Sequence, residues 1–165
     1  MKIRIKYFEG ATKLKKISKG NWIDVYACKD IFVPLNERSM VPLGFALELP
    51  TGWEGHLAPR SSTFKTWGII QTNSVGVVDD TYIGDNDQWH MPVYCLEAKN
   101  ENGSWIKSGD KIGQFRIMEV MPEIEFEFFF CKKVIAPLRL TPFLQKATIS
   151  PFHSLSRMGP PVFSV

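Results

Sequence analysis

Acidic residues run out before the chain does. All 17 lie at or before Glu127 with 15 of the 20 basic residues, a net of −2, while the last 38 residues carry five basic side chains (Lys132, Lys133, Arg139, Lys146, Arg157), a net of +5. Those charges are sparse rather than clustered, which argues against nucleic acid or a membrane surface as a partner. Cysteine is scarce too. Cys28, Cys95 and Cys131 are odd in number and form no CxxC pair, which excludes a disulfide framework and a thiolate zinc site and fits a reducing cytoplasm. Histidine is limited to His56, His90 and His153, too scattered for a metal triad. There is no internal repeat, no Walker-type glycine loop and no GxGxxG, so a nucleotide bound here is held in another way. No apolar run approaches the ~20 residues of a membrane span: residues 128–138 are interrupted by Lys132-Lys133. Met1-Lys2-Ile3-Arg4-Ile5-Lys6 alternates apolar and basic residues, a strand pattern without a signal-peptide core, so a cytoplasmic location is expected.

What is present is ordinary globular material. A chain of 165 residues with 44% apolar and 22% charged residues suits one domain with a real core and no need of staples. Short strand-like runs recur between prolines and glycines, with no long 3.6-residue periodicity, which predicts an all-β barrel or jelly roll with little helix. A basic connector over residues 13–19 leads to the turn pair Gly20-Asn21, and residues 22–27 form a strand-like run that contains Asp24. A carboxylate inside such a run needs a partner if it is buried, and none if it faces outward on an alternating strand.

Three stretches concentrate polar chemistry. In Pro59-Arg60-Ser61-Ser62-Thr63 a guanidinium, three hydroxyls and turn amides suit phosphate oxygens, although a solvated turn has the same composition. In residues 73–84 a valine-rich run delivers Asp79 and Asp80 and is followed by Gly84, which predicts a hairpin; its carboxylates offer a general base, and Asn73 and Tyr82 add an amide and a phenol. Residues 108–117 form a turn feeding a strand with Gln114 near its start. The acids of residues 85–90 lack the ligand spacing of a calcium loop.

Taken in order, Asp24 in residues 20–27, Ala58-Pro59-Arg60-Ser61-Ser62, residues 73–84 and Gly109-Asp110-Lys111-Ile112-Gly113-Gln114 resemble the first four motifs of the trimeric dUTP pyrophosphatases (dUTPases), over about residues 1–127. Gly84-Asp85-Asn86-Asp87 resembles the phage and Bacillus branch. The resemblance implies a jelly-roll β barrel, a homotrimer with sites at subunit interfaces, and Mg²⁺-assisted hydrolysis of dUTP to dUMP and pyrophosphate at the α-phosphate. It also implies roles: Asp79 activates water, Tyr82 packs beneath deoxyribose, and Asn73 reads uracil. Arg60, Ser61, Ser62 and Gln114 contact phosphates, and Asp24 reaches the Mg²⁺ through water. The chemistry asks for these types, since phosphoryl substitution is chiefly positioning and charge neutralisation, and Mg²⁺ rests on phosphates and waters more than on a protein cage. Asp80 receives no role.

The resemblance stops near Glu127. The family closes on a glycine-rich arm, whereas Arg157, Gly159 and Phe163 are only a faint echo of it, and Pro160-Pro161 stands where flexible glycines belong. Residues 1–127 are therefore read as the β-barrel domain and residues 128–165 as an atypical basic and apolar tail, with disorder and a shifted reading frame both left open. Without the arm, closure over the triphosphate and hence activity are expected to weaken. Trp89 or His90, placed on the hairpin tip, is a candidate to stack on uracil instead; the other reading has Trp89 packed on the barrel. A deoxycytidine triphosphate deaminase of the same fold needs a glutamate soon after the third motif, where this chain has Asp85, Asn86, Asp87 and Gln88. A non-catalytic nucleotide-sensing or protein-binding relative stays open on the altered tail alone.

Overall fold

Residues His90–Cys95 bury every second side chain: Met91, Val93 and Cys95 point into the core. That period of two marks a strand with one face in the core. Eleven strands occur among the described residues, here labelled β1 (Arg4–Tyr7), β2 (Ile23–Tyr26), β3 (Ile31–Pro34), β4 (Arg38–Pro42), β5 (Phe45–Glu48), β6 (Trp53–Pro59), β7 (Ile69–Gln71), β8 (Gly76–Val78), β9 (His90–Cys95), β10 (Gly103–Ile106) and β11 (Lys111–Glu119). The computed structural model describes residues 1–15 and 20–128. The connector over residues 13–19 is thus covered only in part, and Cys131, His153, Arg157, Gly159 and Phe163 lie outside the described residues.

The strands pair antiparallel as β1-β5, β10-β3, β2-β11-β6-β8 and β4-β9-β7, a jelly-roll-like all-β arrangement. The compact unit is Met1–Glu123. Its core centres on three rings, with Trp89 5.3 Å from both Phe45 and Phe115, and Val25, Leu57, Met91, Val93 and Ile112 pack around them. Gly55 of β6 makes room for this: a Cβ there would sit 2.3 Å from the Trp89 ring, so only glycine lets the indole approach the strand this closely.

The one described helix is α1 (Thr63–Trp67), in a stretch to which the sequence reading gives no element beyond the turn that ends at Thr63. It ends at Gly68, whose φ of 63° closes the last turn by donating its N-H to the Phe64 carbonyl. Five residues are too few for a 3.6-residue pattern to be visible in the sequence.

Two expectations are corrected. Residues 73–84 do not form a hairpin: β7 pairs with β9, whereas β8 pairs with β6 in another sheet, so residues 72–75 carry the chain between sheets. A three-residue valine run fits an edge of either sheet, and its partner was not legible. Trp89 is not on an exposed tip. It is 1% exposed, and its packing on the barrel core removes it as a stacking surface for uracil. His90 is half-buried, with Nδ1 2.8 Å from the Gln88 carbonyl.

Candidate active site

The register of the four-stranded sheet brings three of the motifs together. Asp24 lies opposite Gln114, and Gln114 lies opposite Ala58, two residues before Arg60. The Asp24 carboxylate, 20% exposed, is held by two cations, Arg60 Nε at 3.0 Å and Lys111 Nζ at 3.2 Å. The half-buried acid thus has the partners that its position in a strand demands. Two cations share one carboxylate, which leaves one positive charge for an anionic ligand. Lys111 was quoted within a motif but given no role; a register shift between Lys111 and Gly113 sets it beside Tyr26, on the flank of Asp24.

Backbone and side chain fix the Arg60 turn reciprocally. The Arg60 N-H donates to Thr63 Oγ1 (2.9 Å), the Thr63 N-H donates to the Arg60 carbonyl (3.0 Å), and the Thr63 hydroxyl donates to the Ile112 carbonyl (2.8 Å). Buried Thr63 therefore ties the Arg-Ser-Ser turn to the strand that carries Gln114. Ser61 is exposed, and the Ser62 hydroxyl makes no capping bond to α1. Gln114 Nε2 donates to the Pro59 carbonyl (3.2 Å). The Thr63 hydroxyl, counted with those of Ser61 and Ser62 as suited to phosphate, is instead buried and committed to the Ile112 carbonyl; a threonine at the end of a hydroxyl-rich turn gave no sign of that.

Asp79, Tyr82 and Asn73 lie on the loops that flank β8. Asp79 is exposed, and its Oδ1 accepts from the Thr81 hydroxyl (2.5 Å) and the Thr81 N-H (2.9 Å). The Thr81 hydroxyl, then its N-H, hold the Asp79 carboxyl below the usual carboxylate range, because both bonds favour the charged form. The Tyr82 N-H reaches back to the Asp79 carbonyl at 3.3 Å, and the Tyr82 hydroxyl donates to the Gln88 carbonyl at 3.2 Å. Asp79 and Tyr82 rim a cavity of about 330 Å³ whose walls include Met40, Val77 and His90. Asp80 now has a place: its Oδ2 accepts from the Gly52 N-H at 2.7 Å, tying the Asp79 loop to the β5–β6 turn. The Gly52 carbonyl in turn accepts from the Val120 N-H at 3.0 Å.

The structure does not bring Asp79 next to Arg60 within one chain. Val78 lies opposite Gly55 and Arg60 follows Pro59, so the acid and the guanidinium stand at opposite ends of β6. Asp79 thus comes level with Glu54, six residues along the strand direction from Arg60, about 20 Å at ~3.3 Å per residue. Among the described residues no group of three or more His, Cys, Asp or Glu side chains could cage a metal ion. No helix among them is long and apolar enough to cross a membrane.

Comparison with known proteins agrees with this fold and motif order. The dUTPase family matches residues 18–129. The chain is similar to the SPbeta prophage-derived deoxyuridine 5'-triphosphate nucleotidohydrolase of Bacillus subtilis, 49% identical over 126 residues that cover 76% of this chain and 85% of that one. It is also similar to the deoxyuridine 5'-triphosphate nucleotidohydrolase of Wolbachia pipientis from Culex pipiens, 36% identical over 116 residues, 67% of this chain and 71% of that one. Among solved structures, the dUTPase of phage phi11 of S. aureus superposes with a TM-score of 0.67 over 79% of this chain and 98% of that one, at 15% identity. Likeness at that identity speaks to the fold, whereas the family match and the prophage relative speak to descent. On the fold, the ordered motifs and these matches together, the chain belongs to the dUTPase family.

Proposed function

We propose that the chain hydrolyses dUTP to dUMP and pyrophosphate, with Asp79 directing a water at the α-phosphate. The water oxygen forms a bond to the α-phosphorus as the bond to the bridging oxygen of the β-phosphate breaks; pyrophosphate leaves, and the water proton passes toward Asp79. The observation that carries this reading is the Asp79 carboxylate, open to solvent, oriented by two hydrogen bonds from Thr81 and set on the rim of a cavity shared with Tyr82. An ionised carboxylate can orient water and accept its proton without a histidine.

In the same reading Arg60, Ser61, Ser62 and Gln114 take the triphosphate, Asn73 reads the base and Tyr82 lies under the deoxyribose. The cation pair on Asp24 supports the phosphate role, since phosphoryl transfer is largely charge neutralisation and positioning. Mg²⁺ fits as a guest on the phosphates: when bound, it neutralises charge and fixes the shape of the triphosphate. Asp24, with both oxygens already facing cations, would reach it through water rather than ligate it. The separation of Asp79 from Arg60 along β6 supports a site completed between copies of the chain, as in a homotrimer.

The test is pyrophosphate release from dUTP with Mg²⁺, wild type against Asp79→Asn. A loss of about 10²- to 10⁴-fold in kcat is expected from removing a positioned base. Turnover that survives the substitution refutes the assignment of Asp79, and dUTP binding without turnover by the wild type refutes hydrolysis in favour of sensing.

A further inference from the structure

A buried amide sits behind the residue that reads the base. Gln71, the last residue of β7, is 5% exposed, and its Nε2 donates to the Leu57 carbonyl (3.1 Å) and to Asn73 Oδ1 (2.8 Å). Gln71 Oε1 has no partner among the described residues. The orientation of the amide is nonetheless forced. Leu57 offers only a carbonyl, so nitrogen must face it, and the same nitrogen then faces Asn73, which can answer only with its oxygen. Gly76 borders the pair: a Cβ there would lie in ordinary contact distance, 3.4 Å from Gln71 Nε2 and 3.5 Å from Asn73 Nδ2.

We infer that Gln71 is a positioning residue that sets base selectivity by locking the Asn73 amide with its NH₂ turned to the ligand. Asn73 is exposed, and with Oδ1 committed to Gln71 it can present only donors to a base. The 4-oxo group of uracil accepts such a donor. The 4-amino group of cytosine meets it donor to donor. An unlocked asparagine could rotate by half a turn and offer its oxygen to cytosine instead. The selectivity for uracil over cytosine thus resides in the buried residue two positions before the one in contact. This rests on the assignment of Asn73 to the base.

The test uses the full-length protein and pyrophosphate release from dUTP and from dCTP, for wild type, Gln71→Met, Asn73→Ala and the double variant. Gln71→Met should lower the dUTP-over-dCTP ratio of kcat/KM about five- to tenfold, the worth of one net hydrogen bond, and should add nothing in the Asn73→Ala background. A ratio that Gln71→Met leaves unmoved, or moves equally without Asn73, overturns the inference while leaving the site reading intact. If Asn73→Ala has no effect on dUTP, the assignment of Asn73 falls and the inference with it. If Gln71→Met does not fold, solvent exchange of the wild-type Gln71 side-chain amide protons decides: slowed exchange is expected, and exchange at the rate of a free amide overturns the lock.

Discussion

Replacement of Trp89 separates two opposite uses of an indole. Buried in the core, it contacts Phe45 and Phe115 and covers Gly55, so Trp89→Ala leaves a hole walled by two rings and a strand. Truncation of a buried tryptophan to alanine costs about 3 to 5 kcal/mol. One term works the other way. The indole Nε1 is buried without a hydrogen-bond partner among the described residues, and removing an unpaired buried donor recovers part of a penalty of about 1 to 3 kcal/mol. Trp89→Phe keeps a ring against Phe45 and Phe115 and deletes that donor, so its loss should be less than half that of Trp89→Ala. Urea denaturation at one fixed protein concentration measures both, since assembly makes apparent stability concentration-dependent. If Trp89→Ala loses under 1 kcal/mol and instead weakens dUTP binding, the core position is wrong and the indole is a ligand surface after all.

Two further substitutions probe the acid loop. Thr81→Val removes the hydroxyl that does most to hold the Asp79 carboxyl low, so that pKa should rise toward its ordinary value. Since the working form is ionised, the acid limb of the kcat/KM profile should move to higher pH, with little change near neutrality; an unmoved limb would mean that another group sets it. Asp80→Ala cuts the bond to Gly52 and frees the loop, so kcat should fall about tenfold at nearly constant KM, and Asp80→Asn, which keeps an oxygen acceptor for the Gly52 N-H, should restore most of it. Equal losses in the two variants would show that charge rather than the tether matters.

The fold class was legible because strand signals are local: short strand-like runs between Pro and Gly punctuation, with no long helical period, stand in the sequence itself. Pairing is not local, and it went wrong where the local signal was shortest, at β8. The candidate site divides along the same line. Asp24, Arg60 and Gln114 could be named from motif order, but the convergence of Arg60 and Lys111 on Asp24 depends on a register shift in β11 that no periodicity announces. Trp89 was misplaced because the polar run of residues 85–88 hid the return of the chain to the core. Gln71 and Thr63 are polar residues that sequence reasoning assigns to the surface, and their burial shows only in three dimensions.

Gly52 is a mechanical junction. Its N-H holds the loop of the proposed base through Asp80, and its carbonyl holds the Val120 N-H where the chain leaves β11. A single peptide turn therefore bears load from both directions. Substitutions that shift this turn are therefore expected to disturb the Asp79 loop and the exit of β11 together.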